Sequence, residues 1–102
     1  MEVGENVFVL ITYDIATTDA AGRKRLRQVA KACQNYGQRV QNSVFECQVD
    51  SAQCRKLEII LENIIDPEQD SLRFYYLGNN AKMKVKHVGI KESYDLDEAI
   101  II

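Results

Sequence analysis

The chain is 102 residues long, the size of a single domain, and 46% of its residues are hydrophobic, which is enough for a core. No apolar run approaches the roughly 20 residues that a membrane-spanning helix needs, and the N-terminus lacks the basic-then-apolar pattern of a signal peptide. The net charge of −2 does not by itself indicate a nucleic-acid binder.

The first predicted element is a strand over residues 7–15, built largely from β-branched and aromatic residues. This composition is typical of a strand that is covered on both faces. Its first charge is Asp14, and because a carboxylate is costly to desolvate, we expect this side chain at the exit of the strand, facing a solvated cleft or a metal ion. The alternative for such an acid is a turn or a helix cap. Residues 1–6 are polar, include a glycine and are predicted to form a disordered leader.

A helix is predicted over residues 20–36, with N-cap side chains offered by Thr17, Thr18 and Asp19. Its buried stripe follows the i, i+3, i+4, i+7 spacing and consists of Leu26, Val29, Ala30 and Cys33. Gly37 is predicted to end the helix with a left-handed cap.

Positive charge is concentrated in this helix and just after it. No acidic residue occurs over residues 20–45, whereas six basic residues do: Arg23, Lys24, Arg25, Arg27, Lys31 and Arg39. Segregation of this kind gives an acidic protein a local positive surface, so these six are the candidate contacts to nucleic-acid phosphates. The alternative is a solvated helix face, since Arg23, Arg27 and Lys31 repeat every four residues. For Arg39 the alternative is an electrostatic interaction with the carbonyl groups at the helix end.

Residues 39–49 are predicted to be strand, with an interruption. The second half alternates with Phe45 on one face, but Val40 has the opposite parity, so we expect a bulge or break near residues 42–43. The order of elements is β-α-β-α-β-β if this region is one strand. It becomes β-α-β-β-α-β in outline if the region is split or if the tail supplies a strand.

Asp50 and Ser51 are predicted to cap a second helix, which ends before Pro67 because the residue preceding a proline disfavours helix. Its buried stripe contains Cys54, Leu57, Ile60, Leu61, Ile64 and Ile65. Two further strands are predicted over residues 72–77 and 83–90, on either side of a turn.

Two similar strand–helix halves favour an α+β fold over residues 7–91, a ferredoxin-like two-layer sandwich with an antiparallel sheet. Two helices cover only one face of the sheet, so the other face, carrying Phe45, Phe74 or a tyrosine, is expected to pack on a second copy of the chain. The tail, residues 92–102, ends in three isoleucines. It is predicted to add a strand to a sheet edge, that of the partner subunit in a homodimer.

Four segments occur in an order and spacing that resemble the CRISPR-associated protein 2 family. They are residues 10–15 (LITYDI), 22–26 (GRKRL), 36–46 (YGQRVQNSVFE) and 72–78 (LRFYYLG). The first and third segments together are specific, and the resemblance covers nearly the whole chain after the leader. The second half is most similar to the subtype I-C branch.

The resemblance implies a homodimer with a Mg²⁺ site, with Mn²⁺ as a substitute, where the two copies of Asp14 face each other. It implies a metal-dependent endonuclease acting on double-stranded DNA or RNA, and a scaffold that binds the integrase, CRISPR-associated protein 1. By position, Asp14 is the metal-binding and catalytic acid, Arg39 belongs to the strand motif, and Arg23 and Arg25 belong to the basic helix start. Supporting residues of the same motifs are Tyr13, Ser43 and Phe45. One or two carboxylates suffice for Mg²⁺, because the ion retains several water ligands.

Other functions stay open from the residues alone. The first alternative is a DNA-binding scaffold without catalysis. The second is a dimeric ferredoxin-like module that binds a small regulatory molecule, which the acid-free basic span opposes. A third, an acylphosphatase-like hydrolase, needs an Arg–Asn pair in a phosphate loop, and none occurs near the first strand.

Several single residues also have alternatives. Ser43 is equally well explained as a bulge residue, and Phe45 as part of the dimer core. His87 has no ligand spacing around it and is predicted to be structural. The cysteines, odd in number and without metal-type spacing, are predicted to be reduced core residues of a cytoplasmic protein: Cys33, Cys47 and Cys54.

Overall fold

Five antiparallel strands and two helices make up residues 6–77 and 83–90, the part of the chain that the computed structural model describes. In chain order they are β1 (Asn6–Asp14), α1 (Ala20–Gln34), β2 (Gly37–Gln41), β3 (Val44–Asp50), α2 (Ser51–Ile64), β4 (Ser71–Leu77) and β5 (Met83–Gly89). The sheet order β2-β3-β1-β4-β5 places β1 at the centre. Asn6, predicted as leader, already pairs with Asp50 in the sheet. The rest of the leader, the turn after residue 77 and the tail at 92–102 lie outside the described residues.

The region 39–49 contains two strands, because the chain turns at Asn42 and Ser43. β2 and β3 run antiparallel with Arg39 opposite Phe45, and the register shifts next to this pair. The predicted break is therefore confirmed as a hairpin, and the order with one undivided strand is wrong. The first six elements form the predicted ferredoxin-like α+β sandwich, which β5 extends at one edge.

Side chains of the sheet alternate between a face covered by both helices and an uncovered face. The covered face holds one continuous core, which includes Val9, Ile11, Tyr13, Val29, Cys33, Phe45, Cys47, Leu57, Leu61, Leu72 and Phe74. Ile11 lies opposite Phe45 in β3 and opposite Phe74 in β4, so both rings belong to this core. Full burial of each ring stabilises the fold by roughly 2 kcal/mol. The prediction that Phe45 or Phe74 lies on the uncovered face, with Phe45 in a dimer core, is wrong. Phe8 and Tyr75 lie on that face, Phe8 opposite Leu77 and Tyr75 opposite Leu10, so of the predicted aromatic residues the tyrosine is the one confirmed.

The end of α1 differs from the prediction. The helix ends at Gln34, and Asn35 caps it in a right-handed conformation, with φ of −70°. Gly37 is the first residue of β2 and does not adopt a positive φ, so the predicted left-handed cap is wrong. A Cβ atom at this position would lie 2.4 Å from both Cys47 Sγ and the Glu46 carbonyl oxygen. Glycine is therefore required because β2 approaches β3 closely at this point.

Both predicted helix starts are confirmed. The Asp19 side chain accepts a hydrogen bond from Gly22 N at 2.8 Å. Asp50 accepts one from Gln53 N at 2.7 Å, and the Gln53 side chain accepts one from Asp50 N, which completes a capping box. The buried face of α2 contains one acid that the apolar stripe did not predict, Glu58.

Candidate active site

Asp14 is the last residue of β1, and its side chain is exposed. Alternation along the strand puts it with Thr12 on the uncovered face, and its partner in β4 is Ser71. Within the described ranges no hydrogen bond or ion pair engages the Asp14 carboxylate. The neighbouring helix cap is Asp19, so a capping role does not apply to Asp14. The predicted position at a solvated strand exit is confirmed.

A hydrogen bond fixes the main chain on each side of Asp14. Tyr13 N donates to the Ser43 carbonyl oxygen at 3.1 Å, and Ala16 N donates to Asp70 Oδ1 at 2.9 Å. The first bond ties the strand exit to the β2–β3 turn, and the second ties it to the start of β4. The carboxylate therefore projects from a backbone that is held at both flanks. Ser43, predicted as a supporting or bulge residue, contributes here through its main chain in a hairpin turn.

Behind the strand exit lies a carboxylate that the sequence analysis did not single out, Asp70, which is 0% exposed. Its Oδ2 accepts from Arg25 Nε and from Asp66 N, both at 2.8 Å, and its Oδ1 accepts from Arg25 Nη2 at 3.3 Å as well as from Ala16 N. Burial by itself would raise the pKa of this carboxyl. The Arg25 guanidinium and the two main-chain N–H groups outweigh burial and hold the pKa below its usual range.

The basic residues that were predicted to contact phosphate do not share one environment. Four are exposed on α1: Arg23, Lys24, Arg27 and Lys31. Arg23 Nη1 donates to the Thr17 carbonyl oxygen at 3.5 Å, so its side chain lies over the loop that leaves the strand exit. Lys31 lies about 12 Å further along the helix axis. Arg25 differs from these four, because its side chain is 14% exposed and forms an ion pair with Asp70.

Arg39 lies on β2, where its guanidinium carbon is 5.2 Å from the centroid of the Phe45 ring. The Tyr13 hydroxyl donates to the Asn42 carbonyl oxygen at 3.4 Å. Burial raises the pKa of Tyr13, and the nearby Arg39 offsets only part of this effect. Tyr13 and Phe45 are on the covered face, opposite Asp14, so they shape the strand end and hold Arg39 instead of contacting a ligand at Asp14. The stack on Phe45 replaces the interaction with helix-end carbonyls considered for Arg39.

A further basic side chain on the uncovered face, Arg73, was missed from the sequence. It lies opposite Thr12 and is therefore a diagonal neighbour of Asp14. Its Nε donates to His87 Nδ1 at 3.0 Å and its Nη1 to the Tyr75 hydroxyl at 3.5 Å. This contact agrees with the structural role predicted for His87. The alternation of β4 carried the signal for Arg73, because it places this residue on the same face as Tyr75.

In residues 6–77 and 83–90, no three His, Cys, Asp or Glu side chains come together as a metal site. Asp14 thus offers one carboxylate per chain, which fits Mg²⁺ only where water or a second chain supplies other ligands. The three cysteines are buried and free, as predicted for structural residues. Burial raises the pKa of Cys33 to about 12 and that of Cys47 to about 11, so neither thiol is ionised at neutral pH.

Comparison with known proteins identifies the family. The sequence model of the family described as CRISPR associated protein Cas2 matches residues 7–85. The chain belongs to the Cas2 family. It is 62% identical over 95 residues to the CRISPR-associated endonuclease Cas2 of Halalkalibacterium halodurans, covering 93% of this chain and 99% of that one. It is 57% identical over 96 residues to the CRISPR-associated endoribonuclease Cas2 of Chlorobaculum tepidum, covering 94% of this chain and 100% of that one.

Solved structures share the fold of this chain. The crystal structure of Streptococcus pyogenes Cas2 at pH 6.5 matches with a TM-score of 0.65 at 59% identity, covering 72% of this chain and 88% of that one. A hypothetical protein from Thermus thermophilus matches with a TM-score of 0.63 at 32% identity, covering 74% of this chain and 85% of that one. The ferredoxin-like prediction is confirmed. No helix in the described ranges is long and apolar enough to cross a membrane.

Proposed function

We propose that this chain is a metal-dependent endonuclease of the CRISPR adaptation machinery, which hydrolyses phosphodiester bonds of double-stranded DNA or RNA in the cytoplasm. The observation that carries the proposal is the exposed Asp14 carboxylate, which no described residue engages, on a strand exit held at both flanks. Two relatives named as an endonuclease and an endoribonuclease support phosphodiester hydrolysis and keep both substrate classes in the proposal.

The catalytic unit in this proposal is a homodimer, because one chain supplies one carboxylate. Exposed apolar side chains on the uncovered face favour packing on a second copy of the chain, since Phe8 is 37% exposed and Leu77, its partner in β4, is 44% exposed. In a two-fold pair the same surface patch meets itself, so the two Asp14 side chains come from symmetric positions. The tail at 92–102 is proposed to pair with the partner's sheet edge.

The residues then have distinct roles. Asp14 would hold Mg²⁺, or Mn²⁺ in its place, and a bound ion supplies Lewis acidity at the scissile phosphate. The exposed cations orient the nucleic acid through its backbone, without reading its sequence: Arg23, Lys24, Arg27, Lys31 and Arg39. Tyr13 and Phe45 hold Arg39 from the covered face.

A second candidate function is a DNA scaffold without cleavage. The single acid per chain favours it, because the described residues contain no cluster of metal ligands. Both candidates include the homodimer, nucleic-acid binding and the integrase, CRISPR-associated protein 1, as partner. The subtype I-C branch is the proposed place within the family, on the sequence pattern of the second half of the chain, including Gly78, Asn79, Asn80 and the acidic tail.

The test compares wild type with Asp14→Asn on duplex DNA and on RNA, with Mg²⁺, with Mn²⁺ and with a chelator. We expect Asp14→Asn to lose metal-dependent cleavage and to keep the dimer and the nucleic-acid affinity, because an amide is a poorer ligand for these ions than a carboxylate. Glu68→Gln is the matched control, since it neutralises an exposed acid in the loop before β4.

The outcomes separate the candidates. Cleavage by Asp14→Asn at the wild-type rate would contradict the catalytic role. Nucleic-acid binding without cleavage in wild type as well would favour the scaffold. Binding to nucleic acid must also weaken steeply as salt is added, because released counterions set that slope. A chain that does not bind nucleic acid at any salt concentration would favour the small-molecule module.

A further inference from the structure

Hydrogen bonds join three segments of the chain at the Asp70 carboxylate. The segments are the loop after β1 at Ala16, helix α1 at Arg25, and the loop between α2 and β4 at Asp66. We call these four residues the Asp70–Arg25 clamp. Its four contacts to the Asp70 carboxylate are 2.8 to 3.3 Å long, and that carboxylate is completely buried.

The clamp is connected to Asp14 in two ways, along the chain and across the sheet. Ala16 follows Asp14 by two residues along the chain. Ser71, which directly follows Asp70, is the partner of Asp14 in the β1–β4 ladder. A displacement of Asp70 therefore moves both the segment that leaves Asp14 and the residue that faces it across the sheet.

Arg25 has the geometry of a structural counter-ion. Its Nε and Nη2 donate to the two oxygens of Asp70 as a bidentate pair, and its side chain is largely covered. Arg23, two positions earlier on the same helix, is exposed and makes one long contact with a main-chain oxygen. A phosphate that drew Arg25 away would leave the buried Asp70 charge without compensation, which is strongly unfavourable.

We propose that Arg25 and Asp70 are positioning residues, which hold the exit of β1 in the geometry at which Asp14 acts, and that Arg25 does not contact the substrate. The assignment rests on the proposed function of Asp14. It replaces the sequence-based prediction that Arg25 binds nucleic acid. Loss of the clamp should therefore lower the rate of cleavage and leave duplex affinity unchanged.

The first test compares Arg25→Gln with Arg23→Gln in the full-length dimer, using a DNA duplex and Mg²⁺. For Arg25→Gln we expect kcat to fall on the order of 100-fold, because small misplacements of reacting groups cost this much. Its KM and the salt dependence of duplex affinity should stay at wild-type values. For Arg23→Gln we expect weaker affinity and a slope of log affinity against log salt that is smaller by about one.

The control variant is Arg55→Gln, which removes an arginine that pairs with Glu58 on α2. Because α2 begins directly after Asp50, which pairs with Asn6 at the other end of β1 from Asp14, this variant should match wild type in cleavage and affinity. If Arg25→Gln lowers the salt slope as Arg23→Gln does, or cleaves at the wild-type rate, the proposal is overturned.

A second pair of variants separates loss of the clamp from the effect of leaving a buried charge. Arg25→Gln leaves the Asp70 charge without its counter-ion, whereas Arg25→Gln combined with Asp70→Asn places two neutral side chains at these positions. Because the two residues act as one unit, the double variant should lose no more turnover than the more impaired single variant. Arg25→Lys should recover only part of the turnover that Arg25→Gln loses, since an ammonium group does not form the bidentate pair with a carboxylate. Multiplicative losses, or full rescue by lysine, would overturn the proposal.

Hydrogen exchange at the Ala16 amide tests the clamp without any cleavage measurement. We expect faster exchange in Arg25→Gln than in wild type and no change in Arg23→Gln. Unchanged exchange in Arg25→Gln would overturn the clamp. Cleavage that persists in Asp14→Asn would instead overturn the function proposed for Asp14, so the two failures are distinguishable.

Discussion

Two buried carboxylates with basic partners occur in the described chain, Asp70 and Glu58, and they are held differently. Asp70 accepts main-chain N–H groups from two loops as well as the Arg25 guanidinium. Glu58, on α2, accepts from three side chains: Tyr76, Arg55 and Lys86. The bonds to Asp70 fix backbone at the candidate active site, whereas those to Glu58 fix side chains between α2 and the strands β4 and β5.

This difference predicts how each site responds to damage. The two basic partners of Glu58 reach solvent, since the Arg55 side chain is 61% exposed and the Lys86 side chain is 38% exposed. They are able to turn to water when the carboxylate is removed. A main-chain N–H buried in a loop has no such freedom, so its loss of a partner costs free energy or moves the loop. We therefore expect changes at Asp70 to affect both stability and catalysis, and changes at Glu58 to affect stability alone.

The largest effect is expected for Asp70→Ala. It strips the acceptor from two main-chain N–H groups and leaves Arg25 without its counter-ion, and breaking a buried pair in this way lowers the free energy of unfolding by about 3 kcal/mol. Urea denaturation at one fixed protein concentration measures the change. Glu58→Ala is the matched variant, and a cost at Glu58 that exceeds the cost at Asp70 would contradict the comparison.

Acid should expose the same difference. Burial would raise the pKa of both carboxyls, but hydrogen bonds outweigh it and lower both values, from Arg25 at Asp70 and from Tyr76 and Arg55 at Glu58. A carboxyl whose pKa is lower in the folded chain stabilises it above the unfolded value of about 4, and this stability is lost as the pH falls through the folded value.

The free energy of unfolding should therefore stay level from pH 7 to about pH 5 and fall below about pH 4. Neither Asp70→Asn nor Glu58→Gln takes up a proton at the altered site, so each should remove part of this acid loss. Asp70→Asn should remove more, because protonation of Asp70 weakens bonds from two main-chain N–H groups, whereas the basic partners of Glu58 are able to turn to water. Urea midpoints measured from pH 7 to strongly acid conditions check this. An acid loss that is the same in Asp70→Asn as in wild type would show that Asp70 does not carry it.

The features that short-range chemistry determines could be predicted from the sequence. The cap at Asp19, the break at residues 42–43 and the exposed strand exit at Asp14 each follow from neighbouring residues, through capping, side-chain parity and the cost of desolvating a charge. These features place the candidate site at one end of the central strand.

The features that could not be predicted from the sequence depend on residues far apart along the chain. The structural role of Asp70 depends on its hydrogen bonds from Ala16, 54 positions away, and from Arg25, 45 positions away. Gly37 is required by the close approach of β3, and not by the helix that ends before it. The clamp could not be predicted for the same reason, since a run of basic residues does not show which of them pairs with a buried acid.

A smaller effect is expected for Glu58→Gln. The amide still accepts from Tyr76 but loses its charge, so the bonds to Arg55 and Lys86 weaken, and the free energy of unfolding should fall by about 1 kcal/mol. Cleavage and duplex affinity should match wild type, because Glu58 does not touch the strand exit. A loss of turnover on the scale expected for Arg25→Gln would show that any buried charge, and not the clamp in particular, supports the site.

The smallest effect is expected for Arg55→Gln. The pair with Glu58 lies one helical turn apart on α2, with an N–O distance of 2.9 Å and a largely exposed arginine. Solvent screening and the entropy of holding a long side chain limit such a pair to at most about 0.5 kcal/mol. Because Glu58 keeps Tyr76 and Lys86, its removal should shift the urea midpoint only slightly, and added salt should shrink the difference further. A cost as large as that of Glu58→Gln would mean that Glu58 depends on Arg55 as strongly as Asp70 depends on Arg25, and the contrast between the two carboxylates would disappear.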